Sequence, residues 1–222
     1  MKSNAALLFN LILILVFSPV CSYDFTIAPW EDGIIPYYLS GEFTRDDVNN
    51  LTTAMQNWEK VCGVKFTKVT PRANAYEIIH DTQRGWYSTI GENNSQCYMN
   101  YNAVDPEIYS ITHELGHCLG LLHEHQRPDR DNYIEIIWEK IVPGKEFNFE
   151  IMDNPLIDEQ EFEYDYSSIM HYPPVSFSTD GSATMVIKNG HEISPDGISE
   201  IDARMVRSIY GPPLTEDDIE EY

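Results

Sequence analysis

The sequence predicts an α+β fold with a regular N-terminal half and a loop-rich C-terminal half. Apolar residues in the first half recur at helical or strand-like spacing, which predicts helices alternating with short strands. Beyond residue 120, eight prolines divide the chain into short pieces, which favours loops over long elements. Of the 222 residues, 42% are apolar and 12% are aromatic, which is enough for a folded core of one or two domains.

The N-terminal half is expected to contain one helix among several strands. A turn at residues 32–33 leads into an apolar strand. Thr44 has the position of a helix N-cap with Asp47 as its capping partner, and apolar residues then recur at helical spacing until Gly63. Further strands are expected at 64–69, 75–80 and 96–101, with a weaker one at 86–90.

Two more helices complete the predicted elements. The second helix is expected over about 107–119, where Gly120 ends it. The last helix is expected over about 199–209. Residues 212–222 finish in a run of acidic side chains, which is typical of a solvated tail.

The first 22 residues have the layout of a secretory signal peptide. Lys2 gives a positive start, residues 5–16 form an apolar run broken only by Asn10, and small residues lead to the expected cleavage position after Ser22. A membrane anchor is the alternative, but the run is shorter than the roughly 20 residues that span a bilayer. We therefore expect a secreted, extracellular protein whose folded domain covers residues 23–211.

The charge of the chain narrows its partners. Asp and Glu number 36 and Lys and Arg number 14, which gives a formal net charge of −22. So acidic a surface repels nucleic acids and anionic membranes, so we expect neither as a partner and expect a soluble monomer. Two sequons, at Asn50 and Asn93, are candidate glycosylation sites in a secreted protein.

The strongest motif lies on the second predicted helix. His113 and His117 are four residues apart, so their imidazoles share one helix face and can reach the same metal ion. Glu114 lies beside the first histidine, where it can contact a water on the metal. Gly120 can turn the chain back without a Cβ clash, which lets His123 supply a third nitrogen. The full pattern, HExxHxxGxxH, is that of the metzincin metallopeptidases.

Two blander interpretations compete with a catalytic metal site. The histidines could be ordinary helix-surface and turn residues, although three of them at this spacing with Glu114 and Gly120 make that a poor explanation. A closed structural zinc site would need a fourth ligand, for which Cys118 is the candidate. Cys118 lies about 100° around the helix from His117 and faces elsewhere. Three protein ligands leave one coordination position open, as in catalytic zinc sites.

The motifs resemble those of the astacin family of zinc endopeptidases. The run from His113 to Asp131 resembles the zinc signature of that family, and residues 168–172 (Ser-Ile-Met-His-Tyr) resemble its Met-turn. The segments 30–37 and 202–210 resemble the start and the last helix of its catalytic domain. The resemblance implies a metzincin-like fold: a twisted mixed sheet with two long helices, a loop-rich second subdomain with a terminal helix, a boundary near 120–124 and an active-site cleft between the two.

The resemblance also implies a role for each matching residue. One Zn²⁺ per chain would be bound by His113, His117 and His123, and Glu114 would be the general base towards a zinc-activated water in the hydrolysis of proteins or peptides. Tyr172 matches a tyrosine that can ligate the resting metal and swing to stabilise the oxyanion. Met170 would form an apolar floor beneath the metal, and Glu124 would hold the mature N-terminus. A catalytically inactive relative that acts as an extracellular binding module is the alternative.

Two features depart from the family. Cys62 matches a family cysteine whose usual C-terminal partner is missing here, while Cys97 and Cys118 do not match family positions. Those two are expected either to form a disulfide or to remain small buried thiols. Only residues 23–29 lie between the predicted signal peptide and the catalytic domain, so we expect secretion without a separate inhibitory pro-segment. Asp24 is a weak candidate for an inhibitory aspartate.

Overall fold

The structure is a computed structural model that describes residues 27–92, 96–102, 104, 107–158 and 161–215. The predicted signal peptide, Asp24 and the Asn93 sequon lie outside the described residues, as does most of the acidic tail. Within the part of the chain that is described, no helix has both the length and the apolar character needed to cross a membrane.

A five-stranded mixed sheet forms the N-terminal half, as predicted. Its order is β2-β1-β3-β5-β4; the first four of these pair in parallel, and β4 pairs antiparallel with β5 at one edge. Each expected strand is present, and those after β1 are shorter than predicted. The strands are β1 (Ile34–Ser40), β2 (Lys65–Lys68), β3 (Tyr76–His80), β4 (Tyr87–Ser88) and β5 (Tyr98–Tyr101).

Helix α1 (Arg45–Glu59) begins with the predicted capping box. The Thr44 side chain accepts a hydrogen bond from the Asp47 backbone N–H, and the Asp47 carboxylate accepts from Thr44 in return. The helix ends four residues before Gly63, earlier than predicted. The intervening residues form turns, and the Gly63 backbone N–H donates to the Gly211 carbonyl instead of to the helix. That bond attaches the end of the chain to the end of α1.

Helix α2 (Ile108–Cys118) carries the histidine motif and packs against α1. The Trp58 indole of α1 donates to the Thr112 carbonyl of α2 at 2.9 Å, and Trp58 is completely buried. The buried faces of both helices belong to one apolar core with the sheet, including Ile35, Ile78 and Leu115. This packing gives α2 a rigid support.

The C-terminal half is loop-rich, as predicted, and has its own small core. Strands β6 (Ile134–Ile136) and β7 (Met185–Ile187) pair antiparallel, and turns and short 3₁₀ segments join most of the rest. These strands of three residues were not predicted, because such short runs have no recognisable periodicity. The terminal helix α3 (Glu200–Tyr210) is confirmed, with Ser199 and Asp202 as a capping box.

The cysteines are buried in the N-terminal core. Cys62 and Cys118 are thiols in the structure, and Cys97 is buried close to Cys118. The structure therefore contains the buried thiol rather than the bridge at Cys118. Burial, and secondly the proximity of Cys97, raise the pKa of the Cys118 thiol.

Candidate metal centre

The three motif histidines converge at the end of α2. His113 and His117 lie one turn apart on this helix, and His123 follows the turn at Gly120. One potential ligand atom from each ring lies within 4.8 Å of the other two. Among the described His, Cys, Asp and Glu residues, no other group of three approaches so closely. The arrangement predicted from the spacing is therefore present.

Gly120 produces the turn that brings His123 back. Its φ of 101° lies where side chains are rarely tolerated, and its N–H donates to the His117 carbonyl at 2.9 Å. A Cβ at this position would lie 2.8 Å from Leu156 Cδ1. Glycine is thus required both by the backbone angle and by the neighbouring side chain.

Hydrogen bonds fix the tautomer of each ring. The Nδ1 atoms of His113 and His117 lie 2.7 and 2.8 Å from the carbonyls of Ile169 and Leu121. The Nδ1 of His123 lies 2.8 Å from the Gln126 Oε1. Because each Nδ1 faces an acceptor, it carries the proton, and each Nε2 has a free lone pair for a metal ion.

The geometry of these lone pairs fits zinc. The Nε2 atoms of His117 and His123 lie 3.2 Å apart, where two lone pairs repel each other unless a cation lies between them. Zinc with Zn–N bonds of about 2.0–2.1 Å in tetrahedral geometry would hold two nitrogens roughly 3.3 Å apart. Burial lowers the pKa of His117 to about 3 and that of His113 in the same direction, so the rings are neutral, as metal ligands must be.

Glu114 is buried next to these histidines with an unsatisfied carboxylate oxygen. The Glu114 Oε2 is buried and has no hydrogen-bond partner among the described residues. Burial raises the pKa of this carboxyl to about 8 in the absence of a metal. A nearby dication would favour the carboxylate and lower that pKa. An orphaned carboxylate oxygen beside three convergent imidazoles is well suited to accept a proton.

Tyr172 packs onto the third histidine. Its ring centroid lies 4.3 Å from that of His123 and 4.2 Å from that of His125, on which it stacks. Burial, followed by the charge of Glu114, raises the pKa of Tyr172 to about 12. The hydroxyl thus keeps its proton at neutral pH and can donate a hydrogen bond.

Met170 and its neighbours support α2 from below. Met170 is buried, and a Cβ on Gly116 of α2 would lie 2.6 Å from its sulfur. The turn that carries Met170 is attached to α3, since Asp202 accepts from the Ser168 hydroxyl at 2.6 Å and from the Ile169 N–H at 2.9 Å. Sequence spacing indicated Asp202 only as part of the last helix, so this role in the turn was missed.

Glu124 belongs to a buried ionic network. Its carboxylate accepts from Arg127 at 3.0 Å and from the Asp165 N–H at 2.7 Å. The N-terminal residues 23–26, which the family resemblance would place near it, lie outside the described residues. The structure thus shows Glu124 in a structural role within the C-terminal half.

A closed four-ligand site has no support in the described residues. Cys118, the candidate fourth ligand, is buried in the apolar core, and its carbonyl accepts from the Trp30 indole at 2.8 Å. The convergent group contains His113, His117 and His123 without it. The donor set therefore leaves a coordination position open.

Comparisons with known proteins agree with this geometry. The family model for astacin, which describes a peptidase family, matches residues 23–211. Zinc metalloproteinase nas-4 of Caenorhabditis elegans is 32% identical over 188 residues, which are 83% of this chain and 59% of that protein. Tolloid-like protein 1 of Mus musculus is 38% identical over 152 residues, which are 67% of this chain and 15% of that protein. The chain thus spans about three fifths or less of the length of these relatives.

A solved structure extends the similarity to the fold. High choriolytic enzyme 1, a hatching enzyme zinc-protease from the medaka fish Oryzias latipes, superposes with a TM-score of 0.74 at 29% identity. The match covers 86% of this chain and 96% of that one. The mixed sheet, the three helices and the loop-rich second half are therefore those of a metzincin-like α+β fold, as predicted.

Proposed function

The chain belongs to the astacin family, and we propose that it is a zinc-dependent endopeptidase that hydrolyses peptide bonds in proteins. The observation that carries this proposal is the convergence of three neutral imidazoles, each with a bare Nε2, beside the unpartnered Oε2 of Glu114. An inactive binding module is less well supported, because it would have no need for a base at this position.

The residues of the site divide the chemistry among them. Zinc bound by His113, His117 and His123 would polarise the scissile carbonyl and ease the deprotonation of water. Glu114 takes the proton from the attacking water at Oε2 and delivers it to the leaving amine nitrogen. The Tyr172 hydroxyl, protonated at neutral pH, donates a hydrogen bond to the developing oxyanion. Its ring contacts with His123 and His125 keep it next to the site.

The edge strand β4 offers a binding surface for an extended substrate. It is the last strand of the described sheet on its side, and among the described strands it pairs only with β5. The Gly91 N–H, three residues beyond β4, donates to the His117 carbonyl at 2.9 Å, so this edge leads directly to the metal ligands. An extended peptide can add to such an edge through main-chain hydrogen bonds, which suits an endopeptidase with a protein substrate.

Metal dependence tests the proposal. Purified protein should cleave an unfolded protein substrate, lose that activity with a zinc chelator and regain it when zinc is restored. A non-chelating isomer of the same compound serves as the control. Activity that persists after complete removal of the metal would refute a zinc mechanism, and zinc-loaded protein that cleaves no protein or peptide would favour the binding module.

Secretion and its covalent consequences are further parts of the proposal. The layout of residues 1–22 supports export with cleavage after Ser22. Asn50 lies in α1 and hydrogen-bonds to Tyr101, so Asn93 is the better glycosylation candidate. N-terminal sequencing of secreted protein should begin at Tyr23, and glycosidase treatment should shift the mass of wild type but not of Asn93→Gln. Mass analysis without reductant will show whether export oxidises Cys97 and Cys118.

A further inference from the structure

The third metal ligand is oriented differently from the other two. His113 and His117 donate to main-chain carbonyls, of Ile169 and Leu121, which no side-chain substitution removes. His123 is paired instead with a side-chain amide, the Oε1 of Gln126, at 2.8 Å. The orientation of this one ligand therefore depends on the identity of a single neighbouring residue.

Gln126 is itself firmly held. It is buried, and its Nε2 lies 3.3 Å from the Glu150 carbonyl and 3.4 Å from the Met152 sulfur. Its backbone N–H donates to the His123 carbonyl at 2.9 Å, and its carbonyl accepts from the Met152 N–H at 2.8 Å. Contacts on both sides of the residue thus hold its side chain in one orientation.

The hydrogen-bonding partners determine which way the amide faces. The Nε2 lies against a carbonyl oxygen, which only a donor satisfies, so the Oε1 must be the atom that faces His123. An acceptor at that point requires the proton on the His123 Nδ1. The reversed amide would bring two acceptors together at the Glu150 carbonyl and would leave the Nδ1–H of His123 facing another donor.

We infer that Gln126 is a positioning residue that holds His123 as the Nδ1–H tautomer with its Nε2 towards the metal. The inference rests on the proposed function only in requiring that the three histidines bind zinc. A partner of this kind on a ligating histidine changes metal affinity about 10–100-fold when it is removed. The acceptor atom, rather than the bulk of the side chain, carries this effect.

The experiment measures zinc affinity by competition with a chromophoric chelator. Gln126→Met keeps the length of the side chain and removes the acceptor, so its zinc affinity should fall about 10–100-fold. Gln126→Glu keeps an acceptor at the same reach, so its zinc affinity should stay within about threefold of wild type. Gln83→Met changes an exposed glutamine far along the chain and should leave the affinity unchanged.

The outcomes separate this inference from the proposed function. Wild-type affinity in Gln126→Met, or an equal loss in Gln126→Glu, would overturn it. Where Gln126→Met does not fold, Gln126→Asn decides, since its shorter amide cannot reach His123 and should lose affinity relative to Gln126→Glu. Peptidase assays play no part in this comparison, so wild-type protein that binds zinc without cleaving protein refutes the function and leaves the positioning role standing.

Discussion

The two halves of the molecule exclude water by different means. Nearly all the buried side chains of the sheet and helices α1 and α2 outside the metal centre are apolar, and their backbone groups pair in regular ladders. The loop-rich half buries many polar and charged groups instead. These are Glu124, His125, Gln126, Arg127, Arg130, Asp165, Ser168, His171, Thr184 and Asp202.

Two buried arginines replace the missing ladders. Arg127 donates to the carbonyls of Phe162 and Glu163 and to two carboxylates, and Arg130 donates to the carbonyls of His125 and Phe149. Buried carbonyls in irregular segments need donors, and a guanidinium supplies up to five. A loop-rich subdomain can thus be rigid without secondary structure, provided that its buried charges are paired.

The comparison is broken most directly by Arg127→Met. This change leaves Glu124 buried without its cation and leaves two carbonyls without donors, so the free energy of unfolding should fall by about 3–5 kcal/mol. Thermal and urea denaturation measure the loss. Arg72→Met, at an exposed position, is the control and should have almost no effect. Similar stability for both variants would show that the network contributes nothing.

Ile78→Ala tests the apolar half in the same way. Ile78 is completely buried in β3, and its truncation should cost about 2–5 kcal/mol through lost burial and a cavity. Because the change removes no charge and no hydrogen bond, the loss measured by urea denaturation should be equal at pH 5 and pH 8. A loss that varies strongly with pH would contradict the division between the halves.

His171 should make the stability of the C-terminal half depend on pH. Burial lowers its pKa from 6.5 to about 4, while its ring accepts from the Tyr164 hydroxyl at 2.8 Å. The unfolded chain therefore binds a proton between these values and the folded chain does not. This stabilisation is complete above about pH 6.5 and is lost as the pH falls towards 4, by up to roughly 3 kcal/mol.

The substitution His171→Gln isolates that contribution. Its unfolding free energy should fall less steeply than that of wild type between pH 6.5 and 4, with the two curves parallel above about pH 7. Identical slopes in both proteins across the acid range would show that His171 does not titrate on unfolding.

The smallest effect is expected at Gly120, where the two halves meet. Gly120→Ala forces a Cβ into a backbone with a φ of 101° and against Leu156, which should cost about 1–3 kcal/mol. Zinc affinity should fall as well, because the turn positions His123. Crystallography of the variant would show the displacement, and an unchanged turn with unchanged affinity would contradict this role.

Periodicity allowed the N-terminal half to be predicted and had little to offer for the other. The capping box at Thr44 and the alternation in β3 are local patterns, and the structure contains both. The β6–β7 pair depends on contacts between segments about 50 residues apart, and the end of α1 depends on Gly211. Such long-range pairings leave no local pattern in the sequence.

The candidate site was predictable to different depths. Helix geometry and one glycine were sufficient to bring three histidines together, because all of them lie within eleven residues. Tyr172 was found only through the family resemblance, since a tyrosine 49 residues after His123 has no spacing rule. Gln126 was missed, although a polar side chain three residues beyond a ligand is a reasonable place to look for its partner.

The most direct test of the zinc endopeptidase account is the Glu114→Gln variant. Gln fills the same space without accepting a proton, so the purified variant should fold, bind one zinc ion per chain and cleave a protein substrate at least about 100-fold more slowly than wild type. Zinc content by elemental analysis and turnover on the same preparation give both numbers. A variant that retains zinc and full activity would contradict the assignment of Glu114 as the base.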